Sequence, residues 1–392
     1  MIKEIAKKIT NFCYKVIKKI LKKVFQFKIV KINPKKIVFD NFVGKGYGCN
    51  PKYIAEELIR QNVDCDMVWL VKDLSIELPP QIRKVRYGGI KACYELATAK
   101  IWVDNVRCYK GMRKKKGQFY IQTWHAPLGF KKVEAEVEDK LTKSYVKDAK
   151  YDGKIIDLFP VNNEYMANLI RKYFWYDGEV SKIGLPRNDI IGNPTKEVFE
   201  KVYKYFGIDE SKKIVVYAPT FRTNGKIDAY KFDYNKVTEC LSKIFKEEFV
   251  MLIRLHPNVS SYGANLSYAE NILNASDYPD IQEILAVADV AITDYSSIMF
   301  DFSMFGKQVF LLMKDIEEYK KQERDLEFDL EELPFPIAYN ENDLCNNIKK
   351  FSKDNYKESC NRFYNKIGLV NTNNASVEIV KIIKDKMQEQ VL

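Results

Sequence analysis

The sequence predicts two doubly wound α/β domains preceded by an amphipathic helix. Short apolar runs alternate with segments of helix length, several runs end in small polar clusters, and lysine is concentrated in the first 31 residues. Apolar runs separated by helices are typical of parallel strands that are covered on both faces. At 392 residues the chain is long enough for two domains that each bury a core.

The first element is a basic amphipathic segment at residues 1–32. Residues 1–31 hold ten lysines and one acid, Glu4, so they account for +9 of the net charge of +11. Apolar residues recur every three or four positions, with lysines mostly on the other face, which predicts a helix lying in an anionic membrane interface. The lysines interrupt any stretch that could span a bilayer or form a signal-peptide core. The alternative is a helix docked on the protein's own body.

The remainder of the chain is nearly neutral, at +2, which argues against a nucleic-acid groove spread over a folded surface. Its cysteines form no C-x-x-C pair and no cluster with histidine, so we expect free thiols in a reducing cytoplasm, with neither a zinc site nor a disulfide framework.

Ten strands are predicted in two groups, and a breaker-rich stretch near residues 184–194 separates the groups. This predicts a Rossmann-like domain at residues 33–190, a second at residues 191–345, and closing helices at residues 346–392. Helices are expected from Lys196 to Phe206 and from about Ser376 to Gln390. The predicted strands are Ile37–Phe42, Met67–Val71, Arg83–Tyr87, Lys100–Asp104, Phe119–Thr123, Leu158–Val161, Ile214–Ala218, Phe249–Arg254, Val290–Thr293 and Val309–Leu312.

Both histidines of the chain follow strand-like runs and lie beside or near a proline. His125 is in Gln122-Thr123-Trp124-His125-Ala126-Pro127, and His256 is in Arg254-Leu255-His256-Pro257. Open α/β sheets place ligand-contacting loops at the carboxyl ends of their strands, and histidine exchanges protons near neutral pH. The parallel contexts favour functional roles over two histidines that are only bonded to backbone carbonyls.

A glycine-rich stretch, residues 44–51, follows the first predicted strand and opens a helix. Gly46 and Gly48 would let backbone amides approach a ligand, and Asn50 precedes a proline suited to the first helical turn. The spacing matches neither a dinucleotide fingerprint nor a phosphate-binding P-loop. A ligand-binding loop and a plain strand-to-helix turn therefore both remain open.

Phosphate chemistry is indicated by Thr293-Asp294-Tyr295-Ser296-Ser297. Ser296 and Ser297 would lie at a helix N-terminus, where hydroxyls and unpaired amides form an anion site. The alternative is an ordinary serine cap. Asp301, one turn later, could reach back toward a ribose or an amide donor.

Two further strand ends carry cations. Thr220 and Arg222 in Tyr217-Ala218-Pro219-Thr220-Phe221-Arg222, together with Arg254 and His256, would share one rim with the serines, because all follow parallel strands. Guanidinium pairs with phosphate through two hydrogen bonds, so this set suits a diphosphate. For Arg222 alone, a surface arginine is an equal interpretation.

Taken in order, the motifs T-W-H, G-x-P-R-N-D, Y-A-P-T-F-R, R-x-H-P and T-D-Y-S-S-x-x-F-D-F resemble the CDP-glycerol glycerophosphotransferase family of teichoic acid and related polymer synthesis. The resemblance runs from about residue 36 to residue 340, and the acidic and aromatic segment at residues 323–330 also fits it. It implies a GT-B-like enzyme, with two Rossmann-like domains facing a central cleft, on the cytoplasmic face of the membrane. Such an enzyme transfers glycerol phosphate from CDP-glycerol, or a related CDP-polyol, to a hydroxyl of a lipid-linked acceptor and releases CMP.

The resemblance also implies residue roles. His125 matches the proposed general base, with His256 as the second catalytic histidine, and the glycine-rich stretch would be an acceptor loop of an N-terminal acceptor domain. No metal is expected to be required, although Mg²⁺ could accompany the diphosphate. The implied donor-binding residues are Trp124, Pro127, Arg187, Pro219, Thr220, Arg222, Arg254, His256, Ser296, Ser297 and Asp301.

One departure from the family pattern follows the first histidine. The family commonly has W-H-G-T-P-L-K, whereas His125 here precedes Ala126-Pro127-Leu128-Gly129-Phe130-Lys131. The polyol that is transferred is therefore left open. Two alternatives also remain: a GT-B glycosyltransferase that uses a nucleotide sugar, and a catalytically silent membrane-bound partner of such an enzyme.

Overall fold

A computed structural model of the chain contains two parallel β-sheets, each flanked by helices, as the sequence predicts. The residues described are 2–25, 30–107, 112–222, 228–256, 259, 263, 266, 268–322, 325–370 and 373–389. Pro257, Asn258, Glu323 and Arg324, which belong to motifs named above, lie outside this set.

The first sheet has seven strands in the order β3-β2-β1-β4-β5-β6-β7. Its central strands are buried along most of their length, because helices cover both faces. The strands are β1 Asn33–Asp40, β2 Asp66–Val71, β3 Ile82–Arg86, β4 Ala99–Asp104, β5 Phe119–Gln122, β6 Leu158–Pro160 and β7 Glu179–Ser181.

The second sheet has six strands in the order β10-β9-β8-β11-β12-β13, all parallel. In both sheets the strand order reverses beside the earliest strand of that sheet, which is where doubly wound folds open a ligand crevice. The strands are β8 Lys213–Tyr217, β9 Phe249–Ile253, β10 Ile272–Asn274, β11 Val290–Thr293, β12 Gln308–Leu312 and β13 Ile337–Ala338.

Fourteen α-helices connect and cover the sheets in the described part of the chain. They are α1 Ile2–Phe25, α2 Cys49–Arg60, α3 Ile90–Thr98, α4 Lys143–Ile155, α5 Glu164–Tyr173, α6 Pro186–Gly192, α7 Lys196–Phe206, α8 Tyr234–Phe245, α9 Ile281–Val287, α10 Ile298–Ser303, α11 Ile316–Gln322, α12 Glu341–Lys349, α13 Lys353–Lys366 and α14 Ala375–Gln388.

The last helix returns to the first domain. α14 packs on α2 and buries Ile379, Val380 and Ile383 in the core of the first sheet. Asp189 of α6 fixes the start of α14, since its carboxylate accepts hydrogen bonds from the backbone N–H groups of Ala375 and Ser376 at 3.0 and 2.7 Å. The chain therefore crosses between the domains a second time.

A buried ion network joins the two domains between α2 and α9. The ammonium of Lys52 is 2.7 Å from carboxylate oxygens of both Asp280 and Glu283. The Tyr53 hydroxyl also donates to Asp280 at 2.9 Å, and Lys201 pairs with Glu283 at 2.7 Å. These contacts hold the domains in one relative arrangement.

The amphipathic helix α1 docks on α3 by one edge. The ring of Phe25 lies edge-on to Tyr94, with centroids 5.7 Å apart. The apolar face is left uncovered by the described residues: Phe12 is 68 % exposed, Ile17 51 % and Ile20 56 %. Because α1 contacts α3, the alternative raised from the sequence, a helix docked on the protein's own body, stays open beside the predicted membrane interface. Within the described residues, no helix is both long enough and apolar enough to cross a bilayer.

The predicted strands are all present, with boundaries that differ by at most four residues, and Val290–Thr293 matches at both ends. β1 begins earlier than predicted and ends before Phe42, because Phe42 and Val43 adopt left-handed φ values of 44° and 62°. Three strands of two or three residues, β7, β10 and β13, were not predicted. Runs this short carry no alternation that distinguishes them from loops.

Candidate active site

His125 lies on the loop that leaves β5. The turn is tight, since Trp124 has a φ of 53° and its N–H donates to the side-chain oxygen of Gln122 at 3.0 Å. The ring nitrogen Nδ1 of His125 lies 2.8 Å from the carbonyl oxygen of Asn105. A carbonyl oxygen only accepts, so Nδ1 carries the proton and Nε2 presents a lone pair.

The surroundings of His125 keep its ring neutral. Burial lowers the pKa of His125 to about 4, although the hydrogen bond to Asn105 acts in the opposite direction and the charge of Arg187 lowers it further. At neutral pH the ring is therefore unprotonated at Nε2 and can accept a proton.

His256 follows β9 on the second domain, with its ring tilted against Phe221 at 5.6 Å. Partial burial lowers the pKa of His256, and the positive charges of Lys45, Lys131 and Arg254 lower it further. Lys45 and Lys131 belong to the first domain. Charged residues of both domains therefore act on His256.

The two lysines were not among the predicted site residues. Lys45 lies between the glycines of the turn after β1, and Lys131 follows the His125 loop with its ammonium 5.1 Å from the ring of Tyr319. The signal was present in the sequence, because both follow strand ends of the first sheet, but lysine is common enough in this chain that position alone did not distinguish them.

Arg222 makes several bonds within the protein. It is 4 % exposed, and its guanidinium pairs with Asp294 and Asp315, each at 2.7 Å. Nη1 also donates to the carbonyl of Thr220 at 2.5 Å. Arg222 thus supports the strand ends, and its predicted contact with a diphosphate stays a prediction.

Arg254 is partly committed in the same way. Its Nη1 donates to the carbonyls of Ala275 and Tyr278 at 2.8 and 2.7 Å. Burial lowers the pKa of Arg254 from its usual high value, with Asp280, Tyr278 and Asp277 acting in the opposite direction. The guanidinium thus holds the loop after β10 through Nη1, and its predicted contact with the donor stays a prediction.

Arg187 and Asp301 pair with each other, and the expectation that each contacts a donor stays a prediction. The pair links α6 to α10 through two hydrogen bonds from the guanidinium, and Asp301 is fully buried. The backbone N–H of Arg187 also donates to the side-chain oxygen of Asn50 at 3.0 Å. The ion pair of Arg187 and Asp301 therefore links the two domains.

Ser296 and Ser297 lie at the start of α10, both half-buried. The hydroxyl of Ser296 accepts from the N–H of Ile298 at 3.5 Å, whereas Ser297 makes no side-chain cap. Pro219 is buried beside them, and the Thr220 N–H donates to Asp294 at 2.7 Å. The Thr220 hydroxyl is buried, with no hydrogen-bond partner among the described residues.

The glycine-rich stretch contains an open turn at Gly46 and a buried residue, Asn50, that bonds to the His125 loop. Gly46, with a φ of 71°, has open space where a side chain would begin, and Gly48 is extended. Asn50 instead is fully buried and donates to the carbonyl of Trp124 at 3.0 Å. Asn50 thus fixes the His125 loop, and its predicted place in an acceptor loop stays a prediction.

The segment after His125 connects the domains. Pro127 is buried, and its carbonyl accepts from Asn163 at 2.7 Å. Leu128 and Phe130 pack into the core of the second domain, and Lys131 forms an isolated antiparallel bridge with Leu326. The apolar residues that distinguish this segment from the family pattern are thus buried between the domains.

No cluster of three or more histidine, cysteine, aspartate or glutamate side chains with metal-binding geometry occurs among the described residues. Whether a divalent ion accompanies the substrate stays a prediction.

Comparison with known proteins gives consistent results. The family model described as CDP-glycerol:poly(glycerophosphate) glycerophosphotransferase matches residues 22–385. A teichoic acid poly(glycerol phosphate) polymerase of Staphylococcus epidermidis is 30 % identical over 92 % of this chain and 52 % of the relative. A teichoic acid glycerol-phosphate transferase of Staphylococcus aureus is 28 % identical over 94 % of this chain and 100 % of the relative.

A crystal structure of the wall teichoic acid polymerase TagF superimposes with a TM-score of 0.84 at 26 % identity, covering 100 % of both chains. A TagF variant has also been solved after a soak with CDPG. The chain thus spans about half the length of the polymerase of Staphylococcus epidermidis and the full length of the transferase of Staphylococcus aureus.

Proposed function

The chain belongs to the CDP-glycerol:poly(glycerophosphate) glycerophosphotransferase family, and we propose from this that it transfers glycerol phosphate from CDP-glycerol to a hydroxyl of a lipid-linked acceptor. The acceptor oxygen attacks the phosphorus next to glycerol and forms a new O–P bond. The bond from that phosphorus to the oxygen of CMP breaks, and CMP leaves with the bonding electrons.

The single observation that carries the proposal is the hydrogen bond that fixes the His125 ring on the loop after β5. Its Nδ1 is bonded to a carbonyl, and burial holds its pKa near 4, so Nε2 is a free base at neutral pH. The proton of the acceptor hydroxyl would pass to Nε2 during attack. This proton transfer is the step that the chain itself contributes to bond formation.

Phosphoryl transfer depends mainly on positioning and on neutralising charge. We assign this task to Lys45, Lys131 and His256, since the positive charges of both lysines lower the pKa of His256. Arg222 and Arg187 pair with carboxylates. The unbonded hydroxyl of Thr220 is available to a donor oxygen. Ser296 and Ser297 would complete the donor site.

Membrane association is proposed for α1. Its apolar residues, such as Phe12 and Ile20, are exposed, and the adjoining face is rich in lysine. Such a helix binds an anionic surface through apolar burial and charge attraction together. The location proposed is the cytoplasmic face of the membrane, where α1 would bring the cleft close to a lipid-linked acceptor.

The proposal is tested by incubating the full chain with CDP-glycerol, CDP-ribitol, UDP-glucose and GDP-mannose, each with a glycerol-phosphate primer, and measuring nucleotide products by chromatography. CMP from CDP-glycerol is expected, and it should depend on His125. UDP or GDP as the product would identify a glycosyltransferase. Absence of product from every donor, with donor binding intact, would identify a silent partner.

A further inference from the structure

The tautomer of His125 is set by one backbone carbonyl. Nδ1 lies 2.8 Å from the oxygen of Asn105, so the location of Asn105 decides which ring nitrogen carries the proton. The hydrogen bonds that orient a histidine ring commonly govern its reactivity. The question is therefore what holds Asn105.

Asn105 follows β4 and is fully buried. Its side-chain amide donates to the side-chain oxygen of Asn41 at 2.8 Å, and its side-chain oxygen accepts from the N–H of Phe42 at 2.9 Å. Both ends of the amide are thus bonded to the residues that follow β1. The carbonyl that fixes His125 is the backbone carbonyl of Asn105, so the bonds of the Asn105 side chain also hold that carbonyl in place.

Asn41 in turn holds the glycine-rich turn. Its side-chain N–H donates to the carbonyl of Lys45 at 2.8 Å. The turn between them is strained at Phe42 and Val43, whose left-handed φ values persist only where the surroundings fix them. The ring of Phe42 lies edge-on to the His125 ring, with centroids 5.4 Å apart. The turn, the two asparagines and the imidazole are therefore one connected unit.

The geometry points to Asn41 and Asn105 as positioning residues for His125: the pair fixes the Nδ1–H tautomer and couples the ring to the turn that carries Lys45. This inference rests on the proposed role of His125 as the base. A ligand that contacts the turn would then act on the base through the asparagine pair, with no contact to His125 itself.

The chain is suited to a direct measurement, because it contains two histidines. Nitrogen-15 spectra of the imidazole rings of the full chain distinguish the Nδ1–H from the Nε2–H tautomer, and the spectrum of His256→Gln assigns the two rings. We expect the Nδ1–H tautomer for His125 in the unchanged protein. Asn41→Ala should give a mixture of tautomers and lower kcat by about tenfold or more, with the Kd for CDP-glycerol unchanged.

Two variants separate positioning from folding. Asn41→Asp keeps an oxygen that accepts from Asn105 but cannot donate to the carbonyl of Lys45, so it should retain the tautomer while it releases the turn. Asn347→Ala is the matched control. It removes an asparagine amide that donates to a backbone carbonyl, that of Ile337 on the second domain, at 2.8 Å. It should change neither the His125 spectrum nor kcat.

The inference is overturned if Asn41→Ala slows turnover while the His125 tautomer stays unchanged, because the pair would then be merely structural. It is also overturned if Asn41→Asp disturbs the tautomer as much as Asn41→Ala. A different result would show that the proposed function is wrong. His125→Gln would then release CMP at the normal rate, whereas Asn41→Ala would still change the tautomer of His125.

Discussion

Removing the ammonium of Lys52 should destabilise the protein by breaking the ion network between its domains. Lys52→Met keeps a side chain of similar length but leaves Asp280 and Glu283 buried, with side chains 4 % and 6 % exposed. Burial disfavours the charge of Lys52, yet Asp280, Glu56 and Glu283 outweigh it and raise the pKa of the ammonium. The ammonium of Lys52 is therefore charged at neutral pH.

The size of the loss follows from what each carboxylate keeps. Burial would raise the pKa of Glu283, but Lys52 and Lys201 hold it at about 2, and Lys201 remains in the variant. Asp280 keeps two neutral hydrogen-bond donors, the Tyr53 hydroxyl and the N–H of Gln282, and the electrostatic attraction of Arg254, but it loses its ion pair with Lys52. One uncompensated buried charge corresponds to the lower end of the usual range, about 3 kcal/mol.

The assay is thermal unfolding followed by calorimetry at pH 7. With an unfolding entropy of roughly 2.1 cal/mol/K per residue, this loss lowers the Tm of a chain of 392 residues by about 4 °C. Lys52→Met combined with Asp280→Asn should recover most of the loss. Lys196→Met, which removes an exposed pair with Glu200, is the control and should leave Tm unchanged. A Tm for Lys52→Met equal to that of the control would refute the reasoning.

His125→Ala should reduce turnover by roughly a hundredfold or more, the usual contribution of a general base, while donor binding measured by calorimetry stays intact; near-normal turnover would remove the residue from this role. Because a base acts when unprotonated and the pKa of His125 is lowered to about 4, the rate should fall on acidification only near pH 4, and a loss centred near pH 6.5 would contradict the assignment. Ser296→Ala with Ser297→Ala should weaken CDP-glycerol binding by about 1.5–3 kcal/mol for each bond lost to a charged group, and an unchanged Kd would exclude these hydroxyls from the donor site. Deleting residues 1–31 should abolish salt-sensitive binding to anionic vesicles while donor binding persists; equal vesicle binding by both forms would assign the lysines another purpose.

The sequence predicted the sheets and both histidine loops because these depend on local signals. Apolar runs mark buried parallel strands, and a polar cluster after such a run lies at the carboxyl edge of the sheet whatever the rest of the chain does. The order of the motifs along the chain then indicated the family. Fold class and the region of the site therefore required no knowledge of long-range contacts.

The roles of individual cations were less predictable for a physical reason. A sequence shows that Arg222 follows a strand, but not that Asp294 and Asp315 lie within 2.7 Å of its guanidinium. The same holds for Lys52, whose carboxylate partners are more than 220 positions further along the chain. A buried cation seeks the nearest carboxylates, and only the folded chain shows where those are.

The return of α14 to the first domain has a consequence for synthesis on the ribosome. The residues that complete the first core, Ile379, Val380 and Ile383, are translated after the entire second domain. Until they emerge from the ribosome, the surface of α2 that they cover stays open to water. The first domain therefore cannot complete its core until the second domain has been translated. Order of synthesis and order of folding therefore differ, and a ribosome-stalled chain ending near residue 345 should expose this surface to chaperones.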